Sequence, residues 1–167
     1  SEESGGFHFY GESSKGKSTC ARALCSLWGP ANERGEMGTW RTTDNGLESA
    51  AAAHTHLPLI LDEIGQASPA LLALIIYMLG NERGKGRATK GLEARRVLTW
   101  RLLFLSTGEE TIEDYAAKAP GKKGALKEGV KMRMADIPAA AGGPEFGVFD
   151  GEFDPTKTKD ERLALAA

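Results

Sequence analysis

Cysteine is almost missing from this chain of 167 residues: Cys20 and Cys25 are the only two. Five positions apart within one expected helix, they point to different faces, so both read as reduced packing residues and no disulfide framework is available. Histidine is nearly as scarce. His8, His54 and His56 have no metal-ligand partners at useful spacing, which argues against a metal cage built by the protein alone. No apolar run approaches the ~20 residues of a membrane span; "LLALIIYML", Leu71 to Leu79, reads as a buried or interfacial helix. No signal-peptide pattern opens the chain, and a cytoplasmic location is the expectation. A first residue of Ser leading straight into a strand suggests a domain cut from a longer protein. Neither sign of charge dominates. With 21 Lys and Arg against 23 Asp and Glu, the net charge of −2 names no partner by itself.

What is present is enough for a core. Hydrophobic residues make up 41% and charged residues 26%, the balance of one compact domain that stands without staples. The basic residues are unevenly spread: 13 of the 21 lie between Arg83 and Arg133, with only six of the 23 acids. Gly142-Gly143-Pro144 marks a boundary, giving a core of residues 1–141 and a C-terminal tail of 142–167, acidic and aromatic, with a short terminal helix.

Periodicity and punctuation give an alternating order. Phe7 to Tyr10 reads as a strand, Lys17 to Trp28 as a helix stopped by Gly29-Pro30, and Thr39 to Thr42 as a short strand. Thr43-Asp44 can cap a helix running to about His54. "LPLILDE", Leu57 to Glu63, is the continuous apolar run of a strand covered on both faces. Ser68-Pro69 opens a helix that Gly80 closes. "NERGKGRATKG", Asn81 to Gly91, is a glycine-punctuated basic stretch able to turn a hairpin. A long strand is expected in Arg95 to Thr107, a helix in Glu109 to Ala119, and a last strand in Met132 to Ala139. The order β-α-β-α-β-α-β-α-β implies an α/β fold: a three-layer α-β-α sandwich around a mostly parallel five-stranded sheet.

The first strand-to-helix turn carries the chemistry. Gly11, Glu12, Ser13, Ser14, Lys15, Gly16, Lys17, Ser18 and Thr19 have the spacing of a Walker A loop, G-x-x-x-x-G-K-S, in the strand–loop–helix context that motif requires. Glycines let backbone N–H groups turn toward phosphate oxygens, and the following helix aims its free N–H groups at the same anion. Lys17 would supply a charge for the β- and γ-phosphates of ATP, Ser18 a ligand for Mg2+, and Thr19 a contact nearer the α-phosphate. Asp62-Glu63 ends the most apolar strand, at the carboxyl edge where parallel sheets bind ligands. Asp62 reads as the second Mg2+ residue and Glu63 as the base that polarises the attacking water. Ser106 and Thr107 end the next strand, which should lie between the other two. A hydroxyl there can touch the γ-phosphate, or it can equally cap the following helix.

Residues 83–101 hold seven basic groups against one acid, Glu93. Arg83, Lys85, Arg87 and Lys90 fall in the glycine-rich turn, where they could grip a phosphodiester backbone; with no aromatic interleaved, base stacking has no support. The bland alternative is a solvated loop. Arg133, at the start of the last strand, is the candidate arginine finger for a neighbouring subunit, with a surface salt bridge as its ordinary reading.

Six segments in register, "GFHFYGESSKGKSTCARALCSLWG", "TWRTTDNGLESAAAAH", "LILDEIGQA", "YMLGNERGKGRA", "WRLLFLSTGEETI" and "GVKMRMADIPA", resemble the helicase-like family of bacterial, plasmid and phage primase–helicase proteins that is filed as a domain of unknown function. The resemblance runs from about Gly6 to Ala140. It implies a P-loop ATPase core similar to superfamily 3 helicases and the AAA+ group, working as a hexameric ring on single-stranded DNA. It also implies Walker A at Lys17 and Ser18, and Walker B at Asp62 and Glu63. The DNA-gripping hairpin would lie around Lys85 and Arg87, sensor 1 at Ser106 and Thr107, and the finger at Arg133. Those enzymes usually carry Asn at sensor 1, so Ser-Thr is a departure. The shared "TDNGLE" element, Thr43 to Glu48, has no assigned role, although its position makes Asp44 or Asn45 a candidate second contact to the nucleotide. A different class of function is a nucleotide-gated assembly module that docks partners through "PEFGVFDGEFD", Pro144 to Asp154, without nucleic acid.

Overall fold

The computed structural model describes residues 3–29, 37–85, 97–120 and 126–140, together with the backbone of 87–88 and 94–95. Its elements in chain order are β1 (Gly5–Tyr10), α1 (Lys17–Cys25), β2 (Met37–Thr39), α2 (Asp44–Ala53), β3 (Pro58–Asp62) and α3 (Pro69–Gly80). There follow β4 (Arg87–Ala88), β5 (Ala94–Arg95), β6 (Leu103–Gly108), α4 (Ile112–Ala117), α5 (Glu128–Lys131) and β7 (Met134–Pro138).

Five strands make one sheet in the order β2-β3-β6-β1-β7, and every pairing in it is parallel. The expected α/β sandwich is therefore the observed one, with β6 between β1 and β3. Parallel neighbours need crossover helices, and the strands they join end on one edge. The register sets that edge: Tyr10 lies opposite Gly108, and Thr39 opposite Asp62.

Side-chain alternation divides the core. Ile60 and Leu105 point to one face, where they pack on Ala21 and Cys25 of α1 with Phe9 and Leu24. Leu59, Leu61 and Phe104 point to the other, under α2, α3, α4 and α5. Each Leu or Ile buried there contributes roughly 1.5–3 kcal/mol. Among the described residues α1 alone covers its face, which leaves Phe7 and Leu103 exposed beside it. Trp40 and Trp100 are core residues, whereas Trp28 is half-exposed at the end of α1.

Caps explain the helix starts. Thr43 accepts from the Gly46 N–H at 3.2 Å, and Thr111 from the Asp114 N–H at 3.1 Å. Asp136 of β7 takes the Ile112 N–H at 3.2 Å, tying α4 to the sheet edge. Pro69 occupies the first turn of α3, where a missing N–H costs nothing.

Three expected boundaries shift, the first being the short strand of Thr39 to Thr42, which lies instead at Met37–Thr39. The long strand of Arg95 to Thr107 is two pieces, because Ala94–Arg95 pairs antiparallel with Arg87–Ala88 in a separate two-stranded hairpin, and β6 begins only at Leu103. Trp100 and Leu102 are buried without lying in a strand: the Trp100 indole N–H donates to the Leu79 carbonyl, and the Leu102 N–H to Ser4 Oγ. Arg133 precedes the last strand, since a short helix occupies Glu128–Lys131. The expected tail and its terminal helix lie outside the described residues. No described helix is long and apolar enough to cross a membrane.

Candidate functional site

The loop between β1 and α1 is shaped by its backbone. Gly11 has φ of 146° and Gly16, the residue capping α1, φ of 86°; a side chain is strained at both. Gly16 donates no side chain to the helix start, so the first N–H groups of α1 stay free for a ligand. Lys17 is 8% exposed, and its ammonium donates to the carbonyls of Gly11 and Glu12, both at 2.7 Å. Burial lowers its pKa, while Glu109, Glu63 and Asp62 pull the other way.

The acidic end of β3 meets this loop. Ser18 Oγ donates to Asp62 Oδ1 at 3.1 Å. Thr107 Oγ1 donates to the same oxygen at 2.5 Å and accepts the Glu63 N–H at 3.0 Å. Parity explains the meeting: Asp62 is two residues beyond Ile60 and Thr107 two beyond Leu105, so both side chains stand on the α1 face. Glu63 sits in a left-handed conformation, φ 60° and ψ 81°, and its Oε1 accepts the Gly65 N–H at 3.1 Å. A cleft of about 170 Å³ joins Ser13 to Thr19 with Glu63, Thr107 and Glu109. Free N–H groups and the Lys17 ammonium thus share one small polar space, with the Ser18–Asp62 hydroxyl–carboxylate pair at its wall. That set can hold an anion and a hard cation side by side.

Of the residues singled out by sequence, Ser13 to Thr19, Asp62, Glu63 and Thr107 come together, and Gly11 and Glu12 hold Lys17. Ser106 faces away. It is fully buried and accepts the Trp40 indole N–H at 2.9 Å, with His8 Nδ1 also at 2.9 Å. Arg133 stands at the opposite edge of the sheet, where its carbonyl accepts the Gly6 N–H at 2.8 Å. Its guanidinium donates to Gly129 O at 2.8 Å and Asn81 Oδ1 at 3.0 Å and lies 4.9 Å over the Tyr77 ring. Lys85 forms an ion pair with Asp44 at 2.7 Å, which turns Asp44 toward the basic turn. Arg83 is exposed; the Arg87 side chain and Lys90 lie outside the described residues. Sequence reasoning missed Glu109 as a wall of the cleft, and nothing in its pattern distinguishes it from an ordinary helix-capping acid.

His8 was passed over as a lone histidine, and its surroundings fix its tautomer. Nε2 lies 2.9 Å from the Glu110 carbonyl, which can only accept, so Nε2 carries the proton and Nδ1 accepts from Ser106. His8 is completely buried, and desolvation lowers its pKa below the usual 6.5, against smaller upward pulls from the Glu110 carbonyl, Asp136 and Glu63. Near pH 6.5 the unfolded chain takes up a proton that the folded chain refuses, so stability is lost as pH falls below that value. Thermal unfolding from pH 7.5 to 5.5 should show this contribution, at most ~1.4 kcal/mol per pH unit. His8→Gln, though less stable at pH 7.5, should fall less steeply; equal slopes would exclude His8 as the source.

Comparison with known proteins adds the family. The model of the family described as Domain of unknown function (DUF927) matches residues 1–98, more than half of the chain. The chain belongs to this family. A solved structure, the "SCCmec type IV Cch - active helicase", is similar with a TM-score of 0.62 and 25% sequence identity, over 81% of this chain and 23% of that one. The chain thus spans about a quarter of that helicase's length. NtrX from Brucella abortus aligns more loosely, with a TM-score of 0.45 and 16% identity over 81% of this chain and 32% of that one. No curated protein matches. The family match covers the glycine-rich loop, Asp62 and Glu63, and the basic turn of Asn81 to Gly91.

Proposed function

We propose that this chain is the ATP-hydrolysing motor domain of a helicase-like protein, coupling Mg-ATP hydrolysis to movement on single-stranded DNA within a ring of copies. The observation that carries the reading is the Ser18–Asp62 hydrogen bond, 3.1 Å, on the wall of the cleft that Lys17 and Glu63 share. Similarity to a helicase described as active supports the motor part.

The residues fit the two absent groups. Mg2+ on a nucleotide takes one or two protein oxygens and fills its shell with water and phosphate. Ser18 and Asp62 suit that, and among the described residues no cluster of three or more acids, His or Cys competes for the ion. Bound there, the cation would neutralise charge on the phosphates. The free N–H groups of α1 and the Lys17 ammonium would orient the triphosphate. Thr107 holds Asp62 and the Glu63 backbone in fixed relation, and Glu63 would take a proton from the attacking water. Ser106, turned into the core, has no path to the phosphate, so the sensor role falls to Thr107.

Arg133 keeps the proposed role of finger only toward another copy. A strand of five residues separates it from its own cleft, ~16 Å at 3.3 Å per residue, and entering a neighbour's site would require leaving Tyr77 and Asn81. Arg83, Lys85, Arg87 and Lys90 are the proposed grip on DNA phosphates.

ATP turnover measured with and without single-stranded DNA, alongside mass in solution, tests the reading. The expected result is Mg2+-dependent hydrolysis that rises severalfold with DNA at low salt. Turnover that DNA leaves unchanged would instead favour a nucleotide-gated assembly module, and no turnover in an oligomeric sample would remove both.

A further inference from the structure

The stretch Thr43 to Glu48 builds the start of α2, and two of its acids reach away from the nucleotide cleft to the root of the basic turn. Asp44 and Glu48 are one helical turn apart on the same side. Asp44 Oδ2 receives the Lys85 ammonium at 2.7 Å. Glu48, 3% exposed, accepts the Lys85 backbone N–H on Oε1 at 3.2 Å. Gly84 is seated so closely that a Cβ added there would meet Glu48 Oε2 at 2.9 Å.

The two contacts differ in weight. The Asp44–Lys85 pair is about half exposed, and such pairs contribute roughly 0–1 kcal/mol. A buried carboxylate is another matter, because leaving it without its N–H donors is costly. A core position is a poor place for an acid unless its oxygens are used.

The far side of the root is fastened differently. Gly84 N–H donates to the Leu98 carbonyl at 2.9 Å and Trp100 N–H to the Glu82 carbonyl at 3.1 Å, with Arg83 and Thr99 bridged antiparallel. Those bonds zip the two arms of the turn together. Glu48 does something else, fixing the zipped arms to α2. The same end of α2 leads back to the acidic edge of the sheet. It follows β2, whose Thr39 lies opposite Asp62; the next residue, Trp40, donates its N–H to the Asp62 carbonyl at 3.4 Å and its indole N–H to Ser106. Leu47 and Ala51 lock the helix into the main core, so it moves as a body with that edge.

We propose that α2 is the seat joining the basic turn to the acidic edge of the nucleotide cleft, with Glu48 the positioning residue that holds Lys85, so that nucleotide and single-stranded nucleic acid affect each other's binding through this contact. The inference rests on the proposed motor function for the two ligands, and on the contacts of Glu48 and Asp44 for the seat. Coupling of this kind is reciprocal: whatever factor nucleotide imposes on nucleic-acid affinity, nucleic acid imposes on nucleotide affinity.

The test compares the full chain with Glu48→Met and Gly84→Ala. The methionine removes both acceptor oxygens at similar volume, and the alanine presses the carboxylate aside from the turn's side, at a backbone position alanine can adopt. Two readouts are taken. Hydrogen exchange reports the Lys85 amide. Anisotropy of labelled oligothymidylate, with and without a non-hydrolysable ATP analogue, reports the coupling factor. In the unaltered chain the analogue should shift oligothymidylate affinity by at least ~5-fold. In both variants Lys85 should exchange faster and the factor should fall to about one, while affinity for the analogue alone stays within about twofold. A variant that merely failed to fold would lose the analogue as well. Full coupling, or an equally protected Lys85 amide, in both variants would overturn the proposal. An unaltered chain that binds no oligothymidylate would sink the nucleic-acid reading and the coupling with it, and the exchange measurement would still decide whether Glu48 seats the turn.

Discussion

Lys17→Ala should remove nucleotide binding while leaving the fold in place. In the folded chain the ammonium bridges two carbonyls of its own loop, Gly11 and Glu12, at 2.7 Å each. Deleting it therefore loosens the loop as well as subtracting a charge facing the phosphates. Hydrogen bonds to charged groups contribute roughly 1.5–3 kcal/mol each, and losing two of them to a triphosphate is worth on the order of 10² in affinity or more. Titration with a fluorescent ATP analogue measures this directly. The main core lies on the other face of the sheet, so the melting temperature should change little by comparison. An unchanged affinity in a folded variant would mean that the cleft is not where nucleotide binds.

The loop and the acidic pair were legible because each is a local signal anchored to a regular element. Eight residues at fixed spacing after a strand, and an apolar run ending in Asp62-Glu63, define the two walls of a site without any tertiary knowledge. The place of β6 between β1 and β3 was legible too, since chains that alternate strand and helix have few ways to close a parallel sheet. What sequence could not say is which of two adjacent hydroxyls faces the cleft. Ser106 and Thr107 differ by one position, and a strand turns consecutive side chains to opposite faces. Only the register of β6 against β3, with Leu61 opposite Ser106, gives Thr107 to Asp62 and Ser106 to His8 and Trp40. The overlong strand from Arg95 has a similar cause. Trp100 and Leu102 look like strand residues because they are apolar, yet their burial comes from Leu79 and Ser4, partners 21 and 98 positions away. Glu48 was invisible for the same reason, its partner Lys85 being 37 residues on.

Glu63→Gln should separate binding from hydrolysis, and the backbone says why. A non-glycine residue at φ 60° carries strain of order 1–3 kcal/mol that persists only when its surroundings impose it. Here the impositions are visible: Thr107 takes the Glu63 N–H, and the Glu63 carboxylate takes the Gly65 N–H. One carboxylate oxygen is spent on the turn, and the side chain lines the cleft. Glutamine keeps the oxygen that accepts from Gly65 and so keeps the turn, but its amide cannot take a proton from water. The variant should bind ATP and Mg2+ within a few-fold of the unaltered chain and hydrolyse it ~10²–10⁴-fold more slowly, the usual contribution of a positioned base. Single-turnover hydrolysis in excess protein separates that loss from any change in affinity. Undiminished turnover would release Glu63 from the role of base and leave Glu109, the remaining carboxylate lining the cleft, as the residue to replace next.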